Sequence, residues 1–155
     1  MTTRKPKSMI GWRETISLPD LGLMTFRAKI DTGALTTALH ATGISRIEVN
    51  GKPWVEFLPD HGGLADSPLC RLPILHSRKI TNTSGIPDER YIVATTLQIG
   101  DHRARIEVSL ADRTDMTFPI IIGRSALRLM RLTVDPARSW LQSPRVADPK
   151  EGHDQ

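Results

Sequence analysis

Asp31, Thr32 and Gly33 place a carboxylate, a small hydroxyl and a glycine at the end of the strand-forming run Phe26-Arg27-Ala28-Lys29-Ile30. That order has a chemical use. The strand's end leaves the carboxylate at the base of a cleft, the threonine can hydrogen-bond across a symmetry axis, and the glycine lets another backbone approach closely. Two carboxylates held about 3 Å apart cannot both ionise, so they share one proton and act as general base on water and general acid on a peptide nitrogen. One carboxylate cannot do both. The chain holds one Asp-Thr-Gly and no Asp-Ser-Gly, so this chemistry requires a twofold homodimer that contributes one Asp31 from each subunit.

Other reactive residue types are arranged less suggestively. Cys70 is the only cysteine, which excludes an internal disulfide and a thiolate-rich zinc site; we read it as a small, partly buried apolar residue. The histidines, His40, His61, His76, His102 and His153, include no pair at helical ligand spacing and no His-Glu-x-x-His. His40 follows the aspartate closely and is expected to make a structural hydrogen bond, and Asp60-His61-Gly62-Gly63 reads as a surface turn. No Gly-x-x-x-x-Gly-Lys-Ser/Thr loop is present to cradle ATP phosphates. Neither a metal nor a cofactor is expected.

The elements that must position Asp31 are mostly strands. Extended runs are predicted at Ile10 to Leu18, Met24 to Ile30, Arg46 to Val49, Trp54 to Leu58, Leu72 to Ile80, Tyr91 to Ile99, Ala104 to Leu110 and Pro119 to Ile122. Pro19-Asp20-Leu21-Gly22, Asn50-Gly51 and Gly100-Asp101 supply turn chemistry between antiparallel neighbours. Ser125 to Arg131, after Gly123, has helix formers and apolar residues at helical spacing, and it is the one convincing helix. Leu35 to His40 could form a helical turn, but Thr36 and Thr37 favour extended structure.

Two segments together, the apolar run into Asp31-Thr32-Gly33-Ala34 and the later Phe118-Pro119-Ile120-Ile121-Ile122-Gly123-Arg124, resemble the retropepsin family. The resemblance implies a mostly β, closed acid-protease barrel with one short C-terminal helix. It makes Asp31, Thr32 and Gly33 catalytic, places Ala34, Ile121 and Ile122 at the substrate, and puts Gly123 behind Asp31. Arg124 would support the site by pinning the helix start or the dimer, with Glu14, Glu89 and Asp112 open as partners. A substrate-covering flap is assigned to the hairpin from Leu72 to Ile99, with Thr83, Ser84, Gly85 and Ile86 at its tip.

A narrower resemblance rests on Gly11-Trp12-Arg13-Glu14, Lys29 to Ala34, Leu39-His40-Ala41, Glu89-Arg90-Tyr91, Ala111-Asp112-Arg113 and Met116. It is to a bacterial family named for ATP-dependent zinc proteases, although the ligands for zinc and ATP are lacking here. Members of that family accompany RimK-type ATP-grasp ligases, which add glutamates to protein C-termini. The resemblance therefore implies trimming or regulation of such tails, and an ATP-grasp ligase as a partner.

Length and composition agree with one domain. The 155 residues, 39% hydrophobic and 25% charged, suffice for a single core. Residues 1–8 and 143–155 are polar and read as flexible tails around a domain of residues 9–142. The net charge of +4 is scattered, which argues against nucleic acid as a partner but gives a mild field that favours an acidic peptide. No apolar run is long enough for a membrane span, and no apolar signal region follows the N-terminus, so a cytoplasmic protein is expected. Trp12, Trp54 and Trp140 are read as packing residues. The expected function is aspartic peptidase activity by a homodimer on a peptide or protein substrate; the alternative is a regulatory partner of the ligase with little peptidase activity.

Overall fold

From Phe26 to Ile30 every second side chain is apolar, and these are the ones that turn inward: Phe26, Ala28 and Ile30 are buried while Lys29 is exposed. The computed structural model describes residues 7–59, 68–81, 85, 87–112 and 116–145. Its strands are β1 (Ser8–Gly11), β2 (Arg13–Leu18), β3 (Leu23–Ile30), β4 (Thr37–Val49), β5 (Lys52–Pro59), β6 (Cys70–Pro73), β7 (His76–Thr81), β8 (Pro87–Ile99), β9 (His102–Ala111), β10 (Ile120–Ile122) and β11 (Leu132–Asp135). One helix, α1 (Arg124–Leu129), lies between the last two.

The order β10-β3-β2-β8-β9-β4 closes on itself because β10 also pairs with β4. This is a mostly β, closed six-stranded barrel with one short helix, the class that the sequence predicted. Closure removes the open edges of those six strands and wraps them around one core, in which Ile16, Leu18, Leu39, Leu97, Ile120 and Ile122 are almost fully buried. β5 and β6 extend the sheet beyond β4, and β7 pairs with β8. Among the described residues, no helix is long and apolar enough to cross a membrane.

Turn chemistry fixes the hairpins. Asn50 and Gly51 both have positive φ, 53° and 75°, and join β4 to β5 with Val49 opposite Lys52, as a two-residue primed turn requires. Gly100-Asp101 joins β8 to β9 with Ile99 opposite His102.

Several boundaries differ from the expected ones. The run Ile10 to Leu18 divides at Trp12, whose N–H donates to the Arg138 carbonyl at 2.9 Å and whose carbonyl accepts from Ile30 N–H at 2.8 Å. Leu72 to Ile80 divides as well: β6 pairs with β5, then Ile74 and Leu75 cross over, and β7 pairs with β8. Leu35 to His40 is extended where β4 begins at Thr37. β1 opens at Ser8, and Ser143 is buried. β1 and β11 form a separate parallel pair that was not foreseen.

Candidate active site

The parallel pairing of β3 with β10 sets Ile30 beside Ile122, and the next residue, Asp31, donates its N–H to the Ile122 carbonyl at 2.9 Å. The chain then turns. Ala34 N–H donates to the Asp31 carbonyl at 3.2 Å, and Gly33 N–H donates to Asp31 Oδ1 at 2.9 Å. A carboxylate oxygen held by a backbone donor has a defined direction, and here Asp31 is half-buried between exposed Thr32 and Gly33 and the barrel.

The segment after β10 grips the other side of this loop. Arg124 N–H donates to the Ala34 carbonyl at 2.8 Å, and the Leu35 carbonyl accepts from Ser125 N–H at 3.1 Å and from Ser125 Oγ at 2.7 Å. The Arg124 guanidinium donates through Nη1 to the carbonyls of Gly33 at 3.2 Å and Thr32 at 3.4 Å. Arg124 thus supports the aspartate loop through backbone carbonyls and not through the carboxylates of Glu14, Glu89 or Asp112. Gly123 N–H donates to Thr37 Oγ1 at 3.1 Å, and a Cβ on Gly123 would lie 2.7 Å from the Thr36 carbonyl carbon. Only glycine lets the two segments pack this closely.

Of the residues singled out in the sequence, Asp31 to Ala34, Ile121, Ile122, Gly123 and Arg124 are brought together. Ile121 is half-buried and Ile122 fully buried. Thr83, Ser84 and Ile86 lie outside the described residues. Gly85, exposed with φ 80°, belongs to the connection between β7 and β8, whose last described pair is Thr81 with Pro87.

Glu14 is the supporting residue whose role the sequence did not reveal. It is fully buried, and its Oε2 accepts from Gly11 N–H at 2.7 Å and Leu141 N–H at 2.9 Å. Its Oε1 accepts from the N–H groups of Gln142 and Ser143, each at 3.1 Å, and from Ser143 Oγ at 2.8 Å. Arg13 stacks 4.4 Å from the Trp12 ring and 5.3 Å from the Trp140 ring, and its Nε donates to Ser139 Oγ at 3.1 Å. Gly-Trp-Arg-Glu is therefore a clamp on residues 138–143. Trp12 ties that clamp to Ile30, the residue before Asp31.

Asp60-His61-Gly62-Gly63 lies outside the described residues, while His40 and Cys70 are structural. His40 is buried with Nδ1 3.1 Å from the Ala111 carbonyl oxygen. Burial pushes the Cys70 thiol pKa up, away from a nucleophilic thiolate. Among the described residues no group of three or more His, Cys, Asp or Glu side chains is arranged to hold a metal ion, so the side chains described do not fit a bound zinc.

Comparison with known proteins accords with this geometry. Two curated relatives, both named "Probable alpha-L-glutamate ligase", come from Desulfotalea psychrophila and Parasynechococcus marenigrum. The first is 34% identical over 84% of this chain and 28% of the relative, the second 35% identical over 86% and 29%. The chain thus spans less than a third of the curated relatives it matches. A crystal structure of a Legionella pneumophila protein of unknown function, assigned to DUF785, superposes with a TM-score of 0.75 at 29% identity, covering 88% of this chain and 98% of that one. A family model described as the retropepsin-like aspartic endopeptidase RimB matches residues 9–145, and the chain belongs to this RimB-like family.

Proposed function

We propose that two copies of this chain form an aspartic endopeptidase whose two Asp31 carboxylates meet at the dimer axis. The observation that carries this reading is the Asp31 loop itself: a half-buried carboxylate, backed by β10 and α1, beside exposed Thr32 and Gly33. Membership of an aspartic endopeptidase family supports the reaction type.

In the dimer one proton is shared by the pair. The unprotonated carboxylate takes a proton from water as the water oxygen bonds to the scissile carbonyl carbon, while the protonated one donates to the carbonyl oxygen. The carboxyl group that took the water proton passes it to the amide nitrogen as the C–N bond breaks, while the other carboxylate takes a proton back from a hydroxyl of the tetrahedral intermediate, so the pair again holds one proton as the carboxyl product leaves. Thr32 fixes the loop across the axis, Ile121 and Ala34 border the peptide, and the β7–β8 hairpin covers it. Replacing Asp31 by Asn should lower peptide cleavage at least about 100-fold while the dimer persists in sedimentation. Full cleavage by that variant would refute the mechanism.

The proposed substrate is a glutamate-tailed protein and the proposed compartment the cytoplasm, supported by the glutamate ligase names of the relatives and by the single, buried Cys70. Those names also favour a second reading, in which the domain regulates an ATP-grasp ligase by binding it. Ligase activity altered equally by wild type and Asp31→Asn would favour that module.

A further inference from the structure

A groove of about 580 Å³ opens beside the aspartate loop. Leu35 and Thr36, which follow the Asp31 to Ala34 turn directly, line it together with Leu75, Arg78 and Arg105. From this arrangement we infer that the groove is a subsite for an acidic side chain of the substrate, read by Arg78 and Arg105. The inference rests on the peptidase reading and names what that site selects.

The two arginines arrive from different strands. Arg78 is on β7 and Arg105 on β9, and small Ala94 of β8 lines the groove with them, leaving space for a side chain. Leu35 and Leu75 are 47% and 52% exposed, and they offer apolar surface to the methylenes of a glutamate. The wall beside the catalytic loop is fixed, because both Ser125 N–H and Ser125 Oγ hold the Leu35 carbonyl.

Charge in the groove favours an anion. Among the lining side chains Arg78 and Arg105 outnumber Glu107, whose Oε1 lies 3.3 Å from His76 Nε2. Arg105 lies 3.9 Å from Asp20, with both side chains largely exposed, a weak pair that a substrate carboxylate can displace. A guanidinium offers a planar fork of donors that suits a carboxylate in two-point contact, which an uncharged amide cannot match.

The test uses the full-length dimer and paired peptides that differ only in Glu or Gln at positions flanking the cleaved bond. Wild type should prefer the Glu peptide in kcat/KM by about 10-fold or more, chiefly through KM, and added salt should shrink the preference. Arg78→Gln and Arg105→Gln should each reduce the Glu/Gln ratio, with Lys at either position restoring part of it. Binding of labelled peptides to Asp31→Asn, followed by fluorescence anisotropy, should show the same arginine-dependent preference. If no peptide is cut, the peptidase reading fails while anisotropy still decides the subsite. Equal binding of Glu and Gln peptides, or a preference untouched by both arginine substitutions, would overturn it.

Discussion

Glu14 shows what a single residue can hold together. Five donors from residues 11 and 141–143 converge on its two buried oxygens, so Glu14→Ala would strand several N–H groups away from water. The expected loss is about 3 kcal/mol or more, read as a lower urea midpoint. Glu14→Gln should recover little, because its NH2 group must oppose N–H donors whichever way the amide is turned. Gly123→Ala tests a different constraint: the atoms its Cβ meets, in Thr36 and Leu35, are backbone and cannot rotate aside. The aspartate loop must then shift, and peptide cleavage should fall about 100-fold by misplacement of Asp31, measured as kcat/KM. Cys70 provides a pH-dependent check. Its folded pKa is raised by burial, so its contribution to stability is complete below the ordinary thiol value of 9.0 and is lost as pH rises through the folded value. Alkylation of the native protein at neutral pH should be slow compared with that of the urea-unfolded chain.

At the scale of elements, local chemistry was readable wherever one residue type forces one geometry. Asn50-Gly51 announced its turn, and alternation from Phe26 to Ile30 announced the inner face of β3. Farther back in β3 the alternation breaks, because Thr25 at φ 49° sits in a bulge and shifts the inward set from Leu23 to Phe26. Ser17 Oγ accepts from Thr25 N–H at 2.9 Å across that irregularity, a contact that no pattern within either strand reveals. The split of Leu72 to Ile80 was hidden because Ile74 and Leu75 continue an apolar run while the strand changes partners. β11 was missed for a related reason: Leu132 to Asp135 is short, follows the helix after only two residues, and finds its partner at the other end of the chain. The aspartate loop and its β10–α1 support were legible from residue order, but the Arg124 acceptors were not, since carbonyl positions depend on the turn. Arg124→Lys keeps the charge but loses the guanidinium fork, and it should weaken catalysis more than folding, seen as a fall in kcat with little change in urea midpoint.

The whole molecule is organised so that one barrel presents one carboxylate. Its two ends are drawn together by the clamp of Gly11 to Glu14 on residues 138–143, a segment in which the sequence pattern shows no strand or helix. The clamp comes from hydrogen bonds between residues more than a hundred positions apart, to which local hydrophobic periodicity is blind. The proposed mechanism requires symmetry to supply the second acid, and this requirement is tested most directly by folding wild-type and Asp31→Asn chains together from a mixed unfolded pool and measuring cleavage per wild-type chain. The account predicts that each mutant chain inactivates the wild-type partner it pairs with, so specific activity falls steadily as the mutant fraction rises. Specific activity that stays constant at every mixing ratio would mean that each subunit works alone, and would contradict the shared site.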